Sequence, residues 1–220
     1  MTKYLVSCGC SFSSKFDSKI TETFGELLSN KLDYTHINLS RIGASNYLIA
    51  KQIEYAVSLN PEFITINATT PLRFDYVFSS LDKKPTLKDF KYGKNYLRPH
   101  TESIGKISSM SYHHIKNNSN GTIQKEKLES IVEFLTKYTD YYVKQDQDRF
   151  LLLGAISKIV EKNIKFIVID FADIFLETDF DKKHLLNLHW DKMRNEFPHP
   201  DGLHFNQDGH NYIFEEIIKI

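Results

Sequence analysis

The chain has 220 residues, 41% of them hydrophobic, and its 28 basic and 28 acidic side chains balance to a formal net charge of zero. That length suits one domain that buries a core without disulfides or metals, and a balanced charge without basic runs argues against a nucleic-acid partner. No apolar run reaches the roughly 18 residues of a membrane span, and the N-terminus has no cleavable apolar segment, so an unexported, cytoplasmic protein is expected.

Residues 3–8, Lys-Tyr-Leu-Val-Ser-Cys, read as a first strand that stops at Gly9 and delivers Ser11 to a loop. Cys8 and Cys10 flank Gly9, too close for an easy disulfide, which fits a reducing compartment. A first helix is expected from Thr21 to Leu32, with Phe24, Leu27, Leu28 and Leu32 at helical spacing. Tyr34 to Leu39 reads as a second strand; Gly43 then permits a turn, and Ser45 or Asn46 can cap a second helix over 46–58. After the break at Asn60-Pro61, Phe63 to Asn67 forms a third strand that leads through Ala-Thr-Thr-Pro to Arg73.

Strands alternating with helices imply a parallel sheet with right-handed crossovers. From about 74 to 122 the pattern fails, and this Lys-, Ser-, Asn- and Tyr-rich stretch is expected to be an inserted cap or loop region. Helical spacing returns over Ile123 to Val143 and Arg149 to Lys162. Lys165 to Phe171 is apolar and β-branched enough to be a buried strand, expected at the sheet centre. A mixed segment, 173–198, precedes a final helix over Gln207 to Ile220.

The densest titratable chemistry lies between them, in His199-Pro-Asp-Gly-Leu-His-Phe-Asn-Gln-Asp-Gly-His210. Asp201 and His204 are three apart, so a tight turn or helix start puts both on one face within hydrogen-bonding reach. A carboxylate that holds one imidazole nitrogen leaves the other to take a proton from a nucleophile. In parallel α/β sheets ligands bind beyond the carboxyl ends of the strands. Here those ends carry Gly9-Cys-Ser11, Gly43 with Asn46, Asn67 to Thr70, and the 199–210 loop.

Taken together these segments resemble the SGNH hydrolases, the GDSL-like superfamily of esterases and lipases. Gly9-Cys10-Ser11-Phe12-Ser13 is similar to the first block, Asn38 with Gly43 to the second, and Asp201-Gly-Leu-His204 to the last. The resemblance runs from residue 4 to 219 without 74–122, and implies a flavodoxin-like three-layer α/β/α domain with a central parallel sheet. It further implies a serine-dependent ester hydrolase with Ser11 as nucleophile, His204 as base and Asp201 as its orienting acid. No cofactor is implied.

The backbone N–H groups of Ser11 and Gly43 would face the tetrahedral oxyanion. The third block departs from the family: Asn67-Ala-Thr-Thr stands where Gly-x-Asn-Asp is usual, leaving Asn67, Thr69 or Arg73 as the third donor. Asn46 and Arg73 are candidate substrate contacts, Arg73 for a carboxylate or phosphate, with Asp75 as its alternative partner. The substrate is expected to be a small-molecule or carbohydrate ester.

Three other readings stand beside this one. Cys10 could be the nucleophile in place of Ser11. His199, His204 and His210 with Asp191 or Asp201 could ligate zinc, although no two-His helical motif is present. A carbohydrate-binding or structural module on the same fold, its catalytic power lost with the third block, is the third.

Overall fold

The computed structural model describes residues 2–71, 73–77, 107–111, 137–138, 140–175 and 180–220. Five parallel strands form the central sheet: β1 (Tyr4–Cys8), β2 (Thr35–Asn38), β3 (Phe63–Ala68), β6 (Lys165–Asp170) and β7 (Leu185–Asn187). Their order is β2-β1-β3-β6-β7, the flavodoxin-like arrangement. Val6 sits beside Ile37 on one side and Ile64 on the other, and Ile64 in turn beside Phe166. Leu5, Val6, Ile64, Ile66, Val168 and Ile169 are almost wholly buried, as expected of strands covered on both faces.

Helices α1 (Phe24–Leu32), α2 (Asn46–Ser58), α3 (Tyr141–Glu161), α4 (Trp190–Glu196) and α5 (Gln207–Ile217) complete the described fold. α1 packs with α5 and α2 with α3, one pair on each face of the sheet, as right-handed crossovers require in this order. Among the described residues no helix is long and apolar enough to cross a membrane.

Several boundaries differ from the expected ones. Helix α1 begins at Phe24 because Thr23 caps it: Thr23 Oγ1 accepts from Glu26 N–H, and Glu26 Oε2 accepts from Thr23 N–H. Thr21 instead donates its N–H and hydroxyl to Gln207 Oε1, tying the approach to α1 onto the start of α5. The strand over 165–170 is internal but not central; β3 holds the centre, and β7 lies outside β6. The last helix stops at Ile217 rather than Ile220.

Helix α3 starts at Tyr141, with Asp140 accepting from Val143 N–H as its cap, so residues 141–148 belong to the helix expected only from Arg149. Residues 123–136 of the other expected helix lie outside the described residues. Within 74–122, β4 (Arg73–Val77) and β5 (Ile107–Ser111) pair antiparallel as a separate two-stranded sheet. The rest of the proposed insertion lies outside the described residues.

Two histidines, His210 buried and His36 half-buried, are expected to make the fold acid-sensitive. His210, fully buried, accepts from Phe24 N–H at Nδ1, and burial pushes its pKa down to about 3. His36 ends a hydrogen-bonded file across three strands, Thr65 Oγ1 to Ser7 Oγ at 2.9 Å and Ser7 Oγ to His36 Nε2 at 2.8 Å. Burial brings its pKa down to about 4.

Both groups stay neutral in the folded chain while the unfolded chain takes up protons below the ordinary histidine value. Their stabilisation is therefore complete above that value and lost as pH falls toward the folded values, at about 1.4 kcal/mol per pH unit for each. Moving from about pH 7.5 to about pH 5 should lower unfolding free energy by on the order of 4 kcal/mol. Urea denaturation at the two pH values checks this, and His210→Gln, which removes one titrating group, should reduce the difference by roughly half.

Candidate active site

The first strand ends at Cys8, and the chain then turns through Gly9 into a single 3-10 turn, Ser11–Ser13. Gly9 is packed so closely that a Cβ there would lie 2.7 Å from Ser13 Oγ and 2.8 Å from Asn67 Cβ. Gln52 of α2, fully buried, clamps the same residue through both backbone groups: its Oε1 accepts from Gly9 N–H at 2.6 Å and its Nε2 donates to Gly9 O at 3.2 Å. Asn38 Nδ2 donates to Ser13 O at 2.8 Å. These bonds fix the turn that carries Ser11 against the end of β2 and the middle of α2.

The 199–206 loop closes on itself. His199 N–H donates to His204 O, Gly202 N–H to His199 O, and Asn206 N–H to Phe197 O. Gly202 has φ +67, the left-handed region that favours glycine, with nothing near a would-be Cβ, so its role here is conformational. Asp201 Oδ1 accepts from Leu203 N–H at 2.9 Å and from His204 N–H at 3.0 Å. Its Oδ2 lies 2.6 Å from His204 Nδ1, and His204 Nε2 lies 2.8 Å from Ser11 Oγ. The three side chains form one hydrogen-bonded file, Asp201–His204–Ser11.

Proton positions follow from charge. Burial raises the Asp201 carboxyl pKa, but the bonds from Leu203, His204 N–H and the His204 ring outweigh this and hold it well below the usual carboxylate range. An ionised carboxylate only accepts, so His204 Nδ1 carries the proton and Nε2 is left to accept from the Ser11 hydroxyl. Burial lowers the His204 pKa, the Asp201 hydrogen bond and charge oppose it, and Arg73 and His199 add to the lowering; the net is a value below the ordinary one. The imidazole is thus neutral near pH ~7, the state a general base needs.

Aromatic rings hold that imidazole. Phe16 stacks on His204 at 4.0 Å between centroids, and Phe12 lies 5.1 Å away, itself seated among Phe171, Trp190 and Phe205. The supporting role of these rings has no periodic signature in the sequence, although Phe12 follows Ser11 directly. Trp190 comes from α4, which lies within the mixed segment 173–198.

The remaining expected site residues divide. Gly43 adopts φ +78 in the turn after β2, where Ala44 N–H donates to Arg41 O and Arg41 N–H donates to Gly9 O, bringing this turn to the Ser11 segment. Thr69 is buried, and among the described residues its Oγ1 has no hydrogen-bond partner. Asn67 spends its amide within the sheet: its Nδ2 donates to Ala68 O and Ile169 O, and its Oδ1 faces the Cys10 thiol at 3.3 Å. Because β3 continues through Ala68, Asn67 points into the sheet's packing.

Asn46 is likewise engaged internally. It is fully buried, its Oδ1 accepts from Thr69 N–H at 2.9 Å, and its Nδ2 donates to Thr69 O at 2.7 Å and to Asp148 Oδ2 at 2.9 Å. Helix α2 turns this first-turn residue inward toward α3, where Asp148 also binds Lys144. Asn46 therefore holds Thr69 in place. Arg73 donates from Nη1 to Ala44 O at 2.9 Å. The side chain of Asp75, its alternative partner, lies outside the described residues.

The rival chemistries meet this geometry as follows. Cys10 is fully buried with its thiol toward Asn67, not toward His204. His199 Nδ1 accepts from Asp201 N–H, and His210 faces α1, so the three histidines do not converge. Among the described residues no group of three His, Cys, Asp or Glu side chains could hold a metal.

No protein-family model matches the chain, and no curated protein matches it by sequence. Solved structures do. The psychrotrophic esterase EstA from Pseudoalteromonas sp., in a structure inhibited by monoethylphosphonate, is 12% identical, with 99% of this chain and 95% of that chain covered at a TM-score of 0.52. A Bacteroides fragilis protein named as a candidate acylhydrolase is 14% identical, with 99% and 87% covered at a TM-score of 0.44. At this identity the likeness to the Pseudoalteromonas esterase speaks for architecture alone: the chain shares the three-layer α/β/α fold of that esterase.

Proposed function

We propose that the chain is a serine-dependent ester hydrolase that works through an acyl-enzyme. The observation that carries this reading is the file in which Asp201 Oδ2, His204 and Ser11 Oγ are linked at 2.6 and 2.8 Å. Ser11 Oγ attacks the ester carbonyl while His204 Nε2 takes its proton, and Asp201 orients the ring and stabilises the imidazolium. His204 then gives that proton to the leaving alcohol. Water, deprotonated by the same imidazole, attacks the acyl carbon and frees Ser11.

The oxyanion faces the N–H groups of Ser11 and Gly43 and the hydroxyl of Thr69. Thr69 Oγ1 is suited to this because it is buried and has no acceptor among the described residues, while Asn46 fixes its backbone. The substrate is a small-molecule ester, acyl or acetyl esters of carbohydrates among them.

A pH profile on a panel of short-chain aryl and sugar acetates tests the reading. His204 must be neutral to act, and its pKa lies below the ordinary histidine value of 6.5. Activity is therefore complete at neutral pH and falls as pH drops through an inflection below that value. An inflection well above it, or equal turnover by Ser11→Ala, would remove His204 and Ser11 from these roles. A binding module on this fold would instead retain an acetylated sugar without turning it over, and would do so equally in Ser11→Ala.

A further inference from the structure

Among the described residues Arg73 is a cation without an anion. The residue is only partly exposed, one of its N–H groups donates to Ala44 O at 2.9 Å, and its Nε is buried with no acceptor. Among the described residues no carboxylate lies within ion-pair distance of it. Taking a guanidinium out of water is costly unless an anion or a full set of acceptors compensates, and one carbonyl is a small part of that compensation.

Its position gives the missing anion a place. The tether at Ala44 is next to Gly43, whose N–H is assigned to the oxyanion, so the guanidinium stands beside the acyl carbonyl of a bound ester. Its charge reaches the catalytic imidazole and contributes to the lowering there. The oxyanion already has three donors in Ser11, Gly43 and Thr69. It also exists only transiently, so it does not compensate the resting cation.

Building on the ester-hydrolase reading, we propose that Arg73 binds a carboxylate on the acyl part of the substrate, making this a site for half-esters of small dicarboxylic acids. A planar guanidinium meets a carboxylate with paired, charge-assisted hydrogen bonds, which a neutral acyl chain cannot supply. The bond cleaved is still the ester C–O. The second carboxylate only docks.

The test compares monoethyl succinate with ethyl butyrate, of equal acyl length, by ethanol release from the wild-type chain, Arg73→Gln and Arg73→Lys. A charge-assisted contact predicts a preference in kcat/KM of about 10- to 100-fold for the succinate half-ester. Arg73→Gln should collapse that ratio toward one, and Arg73→Lys should keep part of it. Equal losses on both esters in Arg73→Gln would place the cation on the oxyanion and overturn the proposal, as would a wild-type ratio near one.

Calorimetric titration with succinate reads the anion site without turnover. Binding by the wild-type chain that Arg73→Gln loses supports the proposal even if neither ester is cleaved, an outcome that would count against the hydrolase reading alone. Absence of succinate binding to a chain that does cleave ethyl butyrate overturns the anion site and leaves the hydrolase standing.

Discussion

His204→Ala is expected to lower kcat/KM for ester hydrolysis by roughly 10⁴- to 10⁶-fold, and Ser11→Ala by a similar factor. The two act as one unit: without the imidazole the serine proton has no acceptor, and without the hydroxyl the base has nothing to activate. The double variant should therefore be little worse than either single one, an outcome that independent contributions would not give.

Asp201→Asn makes a sharper version of the same test. Asparagine Oδ1 can still accept from Leu203 and His204 N–H, which keeps the loop closed. Its amide would then donate toward His204 Nδ1, forcing the ring proton onto Nε2, where it blocks acceptance from Ser11. A loss of about 10⁴-fold with an unchanged unfolding midpoint is expected. Steady-state kinetics beside urea denaturation distinguishes this from a folding defect.

Asn46→Ala should have the second-largest effect, and on stability as well as rate. Three buried hydrogen bonds disappear together, leaving Thr69 N–H, Thr69 O and one Asp148 oxygen without this partner. At about 1–3 kcal/mol for each buried polar group left unsatisfied, the loss is on the order of 3–5 kcal/mol. Thr69 also loses the clamp that aims its hydroxyl, so kcat should fall by about 10²- to 10³-fold, the range for one oxyanion donor. Thr69→Val shares the rate defect without the full stability defect, because it removes the hydroxyl and keeps the backbone bonds. If Thr69→Val turned over esters at the wild-type rate, Thr69 would not be the third donor.

What could be read in the sequence follows the range over which each contact is made. Asp201 and His204 meet within one short loop, so their spacing alone foretells their hydrogen bond. The apolar strands over 4–8, 63–68 and 165–170 announce the sheet because both of its faces are covered.

The clamps are different. Gln52 on Gly9 and Asn46 on Thr69 join segments 43 and 23 residues apart through side chain to backbone bonds, and such bonds leave no periodicity behind. The same is true of Asp148, which lies 102 residues beyond Asn46. Asn46 and Asn67 look like site residues because polar side chains at strand ends and helix starts often face ligands. Here the packing of α2 on α3, and the extension of β3 to Ala68, turn both inward. The edge strand β7, three residues long, and the seven-residue α4 are too short for a pattern to establish itself.

Covalent labelling by a fluorophosphonate tests the central claim most directly, because it needs an activated nucleophile but no knowledge of the substrate. Ser11 Oγ attacks phosphorus, fluoride leaves, and mass spectrometry of the digest locates the adduct. An adduct on Ser11 in the wild-type chain and in Cys10→Ala, with labelling lost in His204→Ala, is the predicted result. An adduct on another residue, or none on a folded chain at neutral pH, would contradict the assignment of Ser11, His204 and Asp201 as a catalytic unit.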